Sequence, residues 1–279
     1  MPPKNPLRVG LVALPATAPR FDVLRTMPGI TLSCMARPDA LDEIRSLASY
    51  SDVMLLDVAD GQRALELVDA ACGLPRTTLA GLCLVEFGGL PPDALRASAD
   101  AFAAGGASLH GAAWGLPPRH GEQALRLYAD DDALDNAACA TLLQALAPSV
   151  FRAGPAGASK ALAIVEGLLL SVITLASAEA LALGNAMQLA PELLLPLLTR
   201  GSGANELLRD PSVPPEGRGV PPGALDDALR RADALADQVR HPLPFGTLSR
   251  SVLRCTTGTS RDAYAAAYAW FARQGANAR

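Results

Sequence analysis

The chain has 279 residues, half of them apolar and 19% charged, with a mean hydropathy of +0.21. That length suits about two domains, and the apolar content excludes a mainly disordered chain. A net charge of −4 with scattered basic residues leaves no electrostatic footprint for nucleic acid. Five cysteines, Cys34, Cys72, Cys83, Cys139 and Cys255, lie far apart along the chain with no CxxC, and there are three histidines. This pattern points to reduced thiols in a cytoplasmic setting and to no metal site. The opening MPPKNPLRVG has no apolar stretch of the signal-peptide kind. Residues 161–183 are the most apolar, but they carry Glu166 and Glu179. Their uncharged core, Gly167 to Ala178, is 12 residues long, short of the ~18 of a membrane span. It reads as a buried helix, with no membrane partner.

In chain order, short apolar runs alternate with helical spacing. Strands are expected at Leu7–Leu14, Ile30–Met35, Val53–Val58, Thr78–Phe87, Ser108–Trp114 and Leu125–Ala129. Helices are expected at Phe21–Arg25, Asp39–Ser49, Gln62–Ala71, Pro92–Ala104 and Leu134–Leu146. This is the pattern of an open parallel sheet with helices on both faces. After Gly154 the strand signals stop. One long helix fits Lys160–Gln188, broken or kinked near Gly184, followed by Pro191–Arg200 and a short helix at Asn205–Arg209. Residues 210–223 hold five prolines and three glycines and read as a loop. Helices are expected again at Ala224–Val239 and Arg261–Gln274, with a less regular segment between them. The expected organisation is an α/β domain over residues 1–154 and an all-α domain over residues 155–279.

The second half carries the more specific signal. Residues 154–170, GPAGASKALAIVEGLLL, continue through AEALALGNAMQLAPELLLPLLTRGSGAN, and His241-Pro-Leu-Pro244 follows. Upstream, ADAFAAGGASLHGAAWG, LRLYADDDAL and APSVFRAGPAGA stand in the matching order. From about residue 50 onward the chain resembles the β-hydroxyacid dehydrogenases, which include 3-hydroxyisobutyrate dehydrogenase and relatives of 6-phosphogluconate dehydrogenase and the imine reductases. The resemblance implies a Rossmann-like sheet joined by a long interdomain helix to an all-α domain. It also implies a homodimer paired through the helical domains, a small-molecule ligand and NADP.

At the functional positions the sequence departs from that family. Where its glycine fingerprint would follow the first strand, this chain reads Gly10-Leu-Val-Ala13-Leu-Pro15-Ala-Thr-Ala18-Pro19. Gly10 survives, whereas Ala13, Pro15 and Ala18 replace glycines; Pro15 has no N–H and each Cβ restricts positive φ. Arg37 follows the second strand where the family often places an arginine for a 2′-phosphate, although an exposed strand-end arginine is an equal reading. Val58 lies in Asp57-Val58-Ala59-Asp60, at the end of a parallel strand where such sheets place ligands. Residues 38–52 leave room for one helix, where the family has a helix, a strand and a second helix. The resemblance puts the family's catalytic lysine at Ala163, its asparagine at Gly167, its Ser-Gly-Gly loop at Trp114-Gly115-Leu116 and a second lysine near Asp227.

Relocated chemistry is one reading of what remains. Lys160, Ala163, Glu166 and Gly167 share a helical face, so Lys160 beside Glu166 could act as a base of lowered pKa; a surface lysine is the plain alternative. Trp114 could line a substrate pocket or belong to the core, and His110 could be a base or a hydrogen-bonded structural histidine. His120 reads as loop surface, and Asp130-Asp131-Asp132 as a solvated turn. Three functions remain open: a divergent NAD(P)-dependent oxidoreductase, a non-redox binding or regulatory dimer, and a cofactor-independent enzyme built on Lys160, Glu166 and His110.

Overall fold

The computed structural model describes residues 6–35, 41–115, 125–205, 208, 220–256 and 262–277. They fall into two compact units that divide inside one helix, unit 1 ending at Ala163 and unit 2 starting at Ile164.

Unit 1 is built on strands β1 (Leu7–Ala13), β2 (Ile30–Met35), β3 (Val53–Asp57), β4 (Cys83–Glu86), β5 (Ser108–Gly115), β6 (Arg126–Asp130) and β7 (Ser149–Gly154). They form one sheet in the order β2-β1-β3-β4-β5-β6-β7, parallel except between β5 and β6. Its helices are α1 (Leu41–Tyr50), α2 (Gly61–Cys72), α3 (Arg76–Leu79), α4 (Pro92–Ala104), α5 (Asp131–Asp135) and α6 (Ala137–Leu146). A 3-10 helix, Ala18–Arg25, stands where the first helix of such a fold would be. The central strands are continuous apolar runs because both faces are covered; all five residues of β3 are buried. One face packs Phe21, Leu24, Cys139, Leu142 and Leu143 over the sheet, and the other packs Ile44, Leu67, Leu95 and Phe102. Gly10 is fixed by the second of these layers: a Cβ there would lie 2.5 Å from Ser51 Oγ and 2.9 Å from Leu47 Cγ.

Unit 2 takes up helix α7 (Ala158–Ala186) from Ile164 and adds α8 (Pro191–Leu198), α9 (Pro222–Val239), α10 (Pro244–Thr256) and α11 (Ala263–Asn277). Its core joins Leu175 and Ala178 of α7 to Leu225 and Leu229 of α9, Leu253 of α10 and Tyr264 of α11. Among the described residues α7 is long and apolar enough to cross a membrane by length and composition; 33% of that apolar window is buried, and Ser171, Leu175, Ala178 and Ala182 are among its buried residues.

Several expectations need correction. Thr78–Phe87 is not one strand: Gly81, at φ +85°, separates α3 from a shorter β4. The helix expected at Leu134–Leu146 is two, because Asn136 ends α5 and its side chain accepts the Ala138 and Cys139 N–H groups to cap α6. Strand β7 was not anticipated; its residues are only half-buried or exposed, so SVFRAG lacks the apolar run of a central strand. The less regular segment near residue 250 is in fact α10. Helix α7 runs unbroken through Gly184, and the glycine instead admits Leu194, whose Cδ2 would lie 2.4 Å from a Cβ. Arg37, His120 and most of the Asn205–Gly223 segment lie outside the described residues.

Candidate functional site

The strand order reverses at β1, between β2 and β3, so a ligand crevice belongs beyond the carboxyl ends of β1 and β3. A dinucleotide is held there by free backbone N–H groups at a helix N-terminus. Here the turn uses those groups itself. Thr17 and Ala18 both donate to the Leu14 carbonyl, at 2.9 Å, and Arg20 donates to Thr17 at 3.0 Å. Pro15 and Pro19 have no N–H to offer. Among positions 15–20, Ala16 is left as the one whose backbone N–H has no backbone acceptor among the described residues. The Ala18–Arg25 3-10 helix has no side-chain cap. Its Phe21, fully buried, packs edge-on against Phe87 (5.4 Å between centroids) and Trp114 (5.8 Å), which stack on each other at 5.5 Å. Arg20 lies over the Trp114 ring, 5.1 Å from its centroid. These residues do not fit a dinucleotide bound in the usual way.

Of the residues proposed for the cofactor, Gly10, Ala13 and Val58 are buried in packing and Pro15 is exposed on the turn. Trp114 belongs to the aromatic cluster, although its indole N–H is buried without an acceptor among the described residues. His110, 8% exposed, stands on β5 with Nε2 likewise unpartnered.

A second set of polar groups gathers around the first turn of α7 in unit 1. Lys160 is 4% exposed, and its Nζ lies 2.6 Å from Glu86 Oε2, a carboxylate with no exposure at all. It also donates to the Gly88 carbonyl at 3.2 Å. Burial lowers the Lys160 pKa against the opposing pull of Glu86. Burial likewise raises that of Glu86, against Lys160 and the Gly88 and Leu90 N–H groups. Beside them Asp130, 1% exposed, accepts N–H bonds from Gly111 (2.8 Å), Gly157 (2.9 Å) and Ser159 (2.9 Å). Asp57 ends β3 nearly buried, with Oδ2 unpartnered among the described residues, and its charge is felt at Lys160.

Two sequence expectations change here. The carboxylate partner of Lys160 is Glu86, not Glu166, which is half-buried on the stretch of α7 in unit 2. Asp130 is not part of a solvated turn; it is a buried carboxylate that ties three backbone segments together. Sequence reading missed Glu86, although a carboxylate inside the apolar run LCLVEF signals a buried charge in need of a partner. Where the family's lysine and asparagine would stand, Ala163 is half-buried and Gly167 is buried, a Cβ there meeting Ala228 of α9 at 2.9 Å. Asp227 pairs with Arg230 and Arg231 on α9.

A mostly parallel sheet that reverses at β1, followed by a long helix and an all-α unit, is a fold shared with solved 3-hydroxyisobutyrate dehydrogenases and imine reductases. Among solved structures, the 3-hydroxyisobutyrate dehydrogenase of Mycobacterium tuberculosis bound to L-serine superposes with a TM-score of 0.75. The two are 15% identical over 95% of this chain and 99% of that one. The imine reductase of Myxococcus stipitatus in complex with NADP+ gives 0.54 at 18% identity, over 92% and 98% of the two chains. In sequence, the cytokine-like nuclear factor N-PAC of Aedes aegypti is 27% identical over 224 residues. That match takes in 78% of this chain, which spans about 40% of the length of that relative. No protein-family model matches the chain.

Proposed function

We propose that this chain is a divergent member of the β-hydroxyacid dehydrogenase superfamily that has given up nicotinamide turnover and works as a non-redox homodimer binding a small polar molecule. The observation that carries this reading is the turn after β1, where prolines and internal hydrogen bonds take up the N–H groups a pyrophosphate would need. Ala163 adds to it, since an alanine cannot shuttle the proton that hydroxyacid dehydrogenation requires. The buried, unpartnered polar atoms of Asp57, His110 and Ser159 give a polar ligand groups to bind. Exposed Val165 and Leu169 on α7 and Leu193 and Leu197 on α8 supply an apolar surface suited to pairing. Five free cysteines are in keeping with a reducing cytoplasmic setting. A divergent NAD(P)-dependent oxidoreductase is the competing reading, favoured by the fold shared with an imine reductase solved with NADP+.

Titration of the whole chain with NADPH and with NADH, followed by calorimetry and tryptophan fluorescence, separates the two. The proposal expects no saturable binding up to millimolar nucleotide. Micromolar affinity for either nucleotide restores the oxidoreductase reading.

A further inference from the structure

Two of the cysteines, 56 residues apart in sequence, meet on one face of the sheet in unit 1. Cys83 opens β4 and Cys139 lies in the first turn of α6, with their sulfurs 2.7 Å apart. That is longer than the ~2.05 Å of a disulfide and closer than unbonded sulfur atoms ordinarily approach. Both are nearly or fully buried, Cys83 at 4% and Cys139 at 0% exposure. The apolar layer around them includes Val85, Leu142 and Leu143.

The surroundings divide the roles between the two sulfurs. The hydrogen bond shared with Cys139 does most to lower the Cys83 thiol, with help from His110 and Ser108 on β5 and against the effect of burial. The same bond, together with burial, pushes the Cys139 thiol upward. The two sulfurs thus share a hydrogen bond beside the Asn136-capped N-terminus of α6.

We propose that Cys83 and Cys139 form a redox site that closes to a disulfide when a hydroperoxide reaches it, fastening β4 to α6. The Cys83 sulfur attacks the peroxide oxygen and breaks the O–O bond, giving a sulfenic acid and, for hydrogen peroxide, one water. The Cys139 sulfur then attacks the Cys83 sulfur, forming the S–S bond and releasing the hydroxyl as a second water. Two thiols are oxidised and one peroxide is reduced, and every proton leaves in water. A dithiol reductant reverses the bond by thiol–disulfide exchange. This inference is independent of the nucleotide question.

The test uses the full chain with Cys34, Cys72 and Cys255 replaced by serine, treated with hydrogen peroxide and then alkylated under denaturing conditions. The expected product is lighter by two hydrogens, takes up no alkyl group, and yields one peptide pair joining Cys83 to Cys139, all reversed by dithiothreitol. Its thermal midpoint rises by several degrees over the reduced form, since the bond closes a long loop. In the same background C139S leaves Cys83 without a resolving thiol, so Cys83 accumulates added oxygen instead. If C139S fails to fold, the peptide map of the parent decides alone. Two alkylated cysteines after peroxide treatment overturn the proposal, as does added oxygen on Cys83 without a link in the parent. An unchanged midpoint overturns the fastening of β4 to α6.

Discussion

Lys160 and Glu86 show how a buried charge pair constrains the residues around it. Removing either partner alone leaves the other buried without its counter-charge. Lys160→Met is expected to cost about 3–5 kcal/mol in urea denaturation at neutral pH, while Lys160→Met with Glu86→Met recovers most of the loss. The pH dependence has a definite sign. In the single variant the Glu86 pKa, already raised by burial, loses the Lys160 attraction that held it down. The folded chain then keeps a proton that the unfolded chain gives up near pH 4.3, so the variant becomes less stable as pH rises above that value. In the parent the pair holds one proton whether folded or unfolded across the neutral range, and it adds no slope there. An equal deficit at pH 4 and pH 7 counts against the buried pair. The sequence drew attention to Lys160 through its place one turn before Ala163, where the family's lysine would stand. Its partner is 74 positions away, so periodicity along the helix could offer only Glu166; that pairing exists only because β4 ends beside the start of α7.

The segment from Leu14 to Arg25 shows how an element can change its role while keeping its place. An α-helix with a glycine-rich entry would present amides to a ligand, whereas this 3-10 helix spends them locally and presents Phe21 to Phe87 and Trp114. Phe21→Ala is expected to destabilise unit 1 by about 3–5 kcal/mol, because it removes a fully buried ring from the middle of an aromatic cluster. Urea denaturation followed by circular dichroism measures it, and a loss under 1 kcal/mol would mean that the ring is not core. Most strands were legible because the parallel sheet is buried on both faces and leaves near-continuous apolar runs. The exception is β7, half-buried at a sheet edge. Likewise α10 was hidden: PFGTLSRSVLRCT buries only Gly246, Ser249, Leu253 and Thr256, so small and polar residues form much of its inner face. The aromatic cluster was not readable at all, since Phe21, Phe87 and Trp114 carry no shared spacing.

For the molecule as a whole, the apolar side chains left outside unit 2 set the expected assembly. Val165 and Leu169 repeat at helical spacing on α7, as do Leu193 and Leu197 on α8, and each of the four is 56–60% exposed. Sedimentation of the full chain is expected to show a dimer at micromolar concentration. Leu169→Glu with Leu193→Glu should shift it to a monomer of unchanged circular dichroism. A monomeric parent would remove the homodimer from the proposed function. The two-part architecture was legible because strand signals cease after Gly154. The end of unit 1 was not, since α7 continues without a break across Ala163 and Ile164.

That continuity limits how the protein can be taken apart. The amides of Gly157 and Ser159 and the ammonium of Lys160 all lie beyond the last strand, yet they are what neutralise Asp130 and Glu86. A fragment stopped at Gly154 would strand two carboxylates in oil, whereas one carried through Ala163 takes its own counter-charges along. The α/β half is thus not a separable cassette at the point where its sheet ends: it is finished by the opening turns of a helix whose remainder serves the other half.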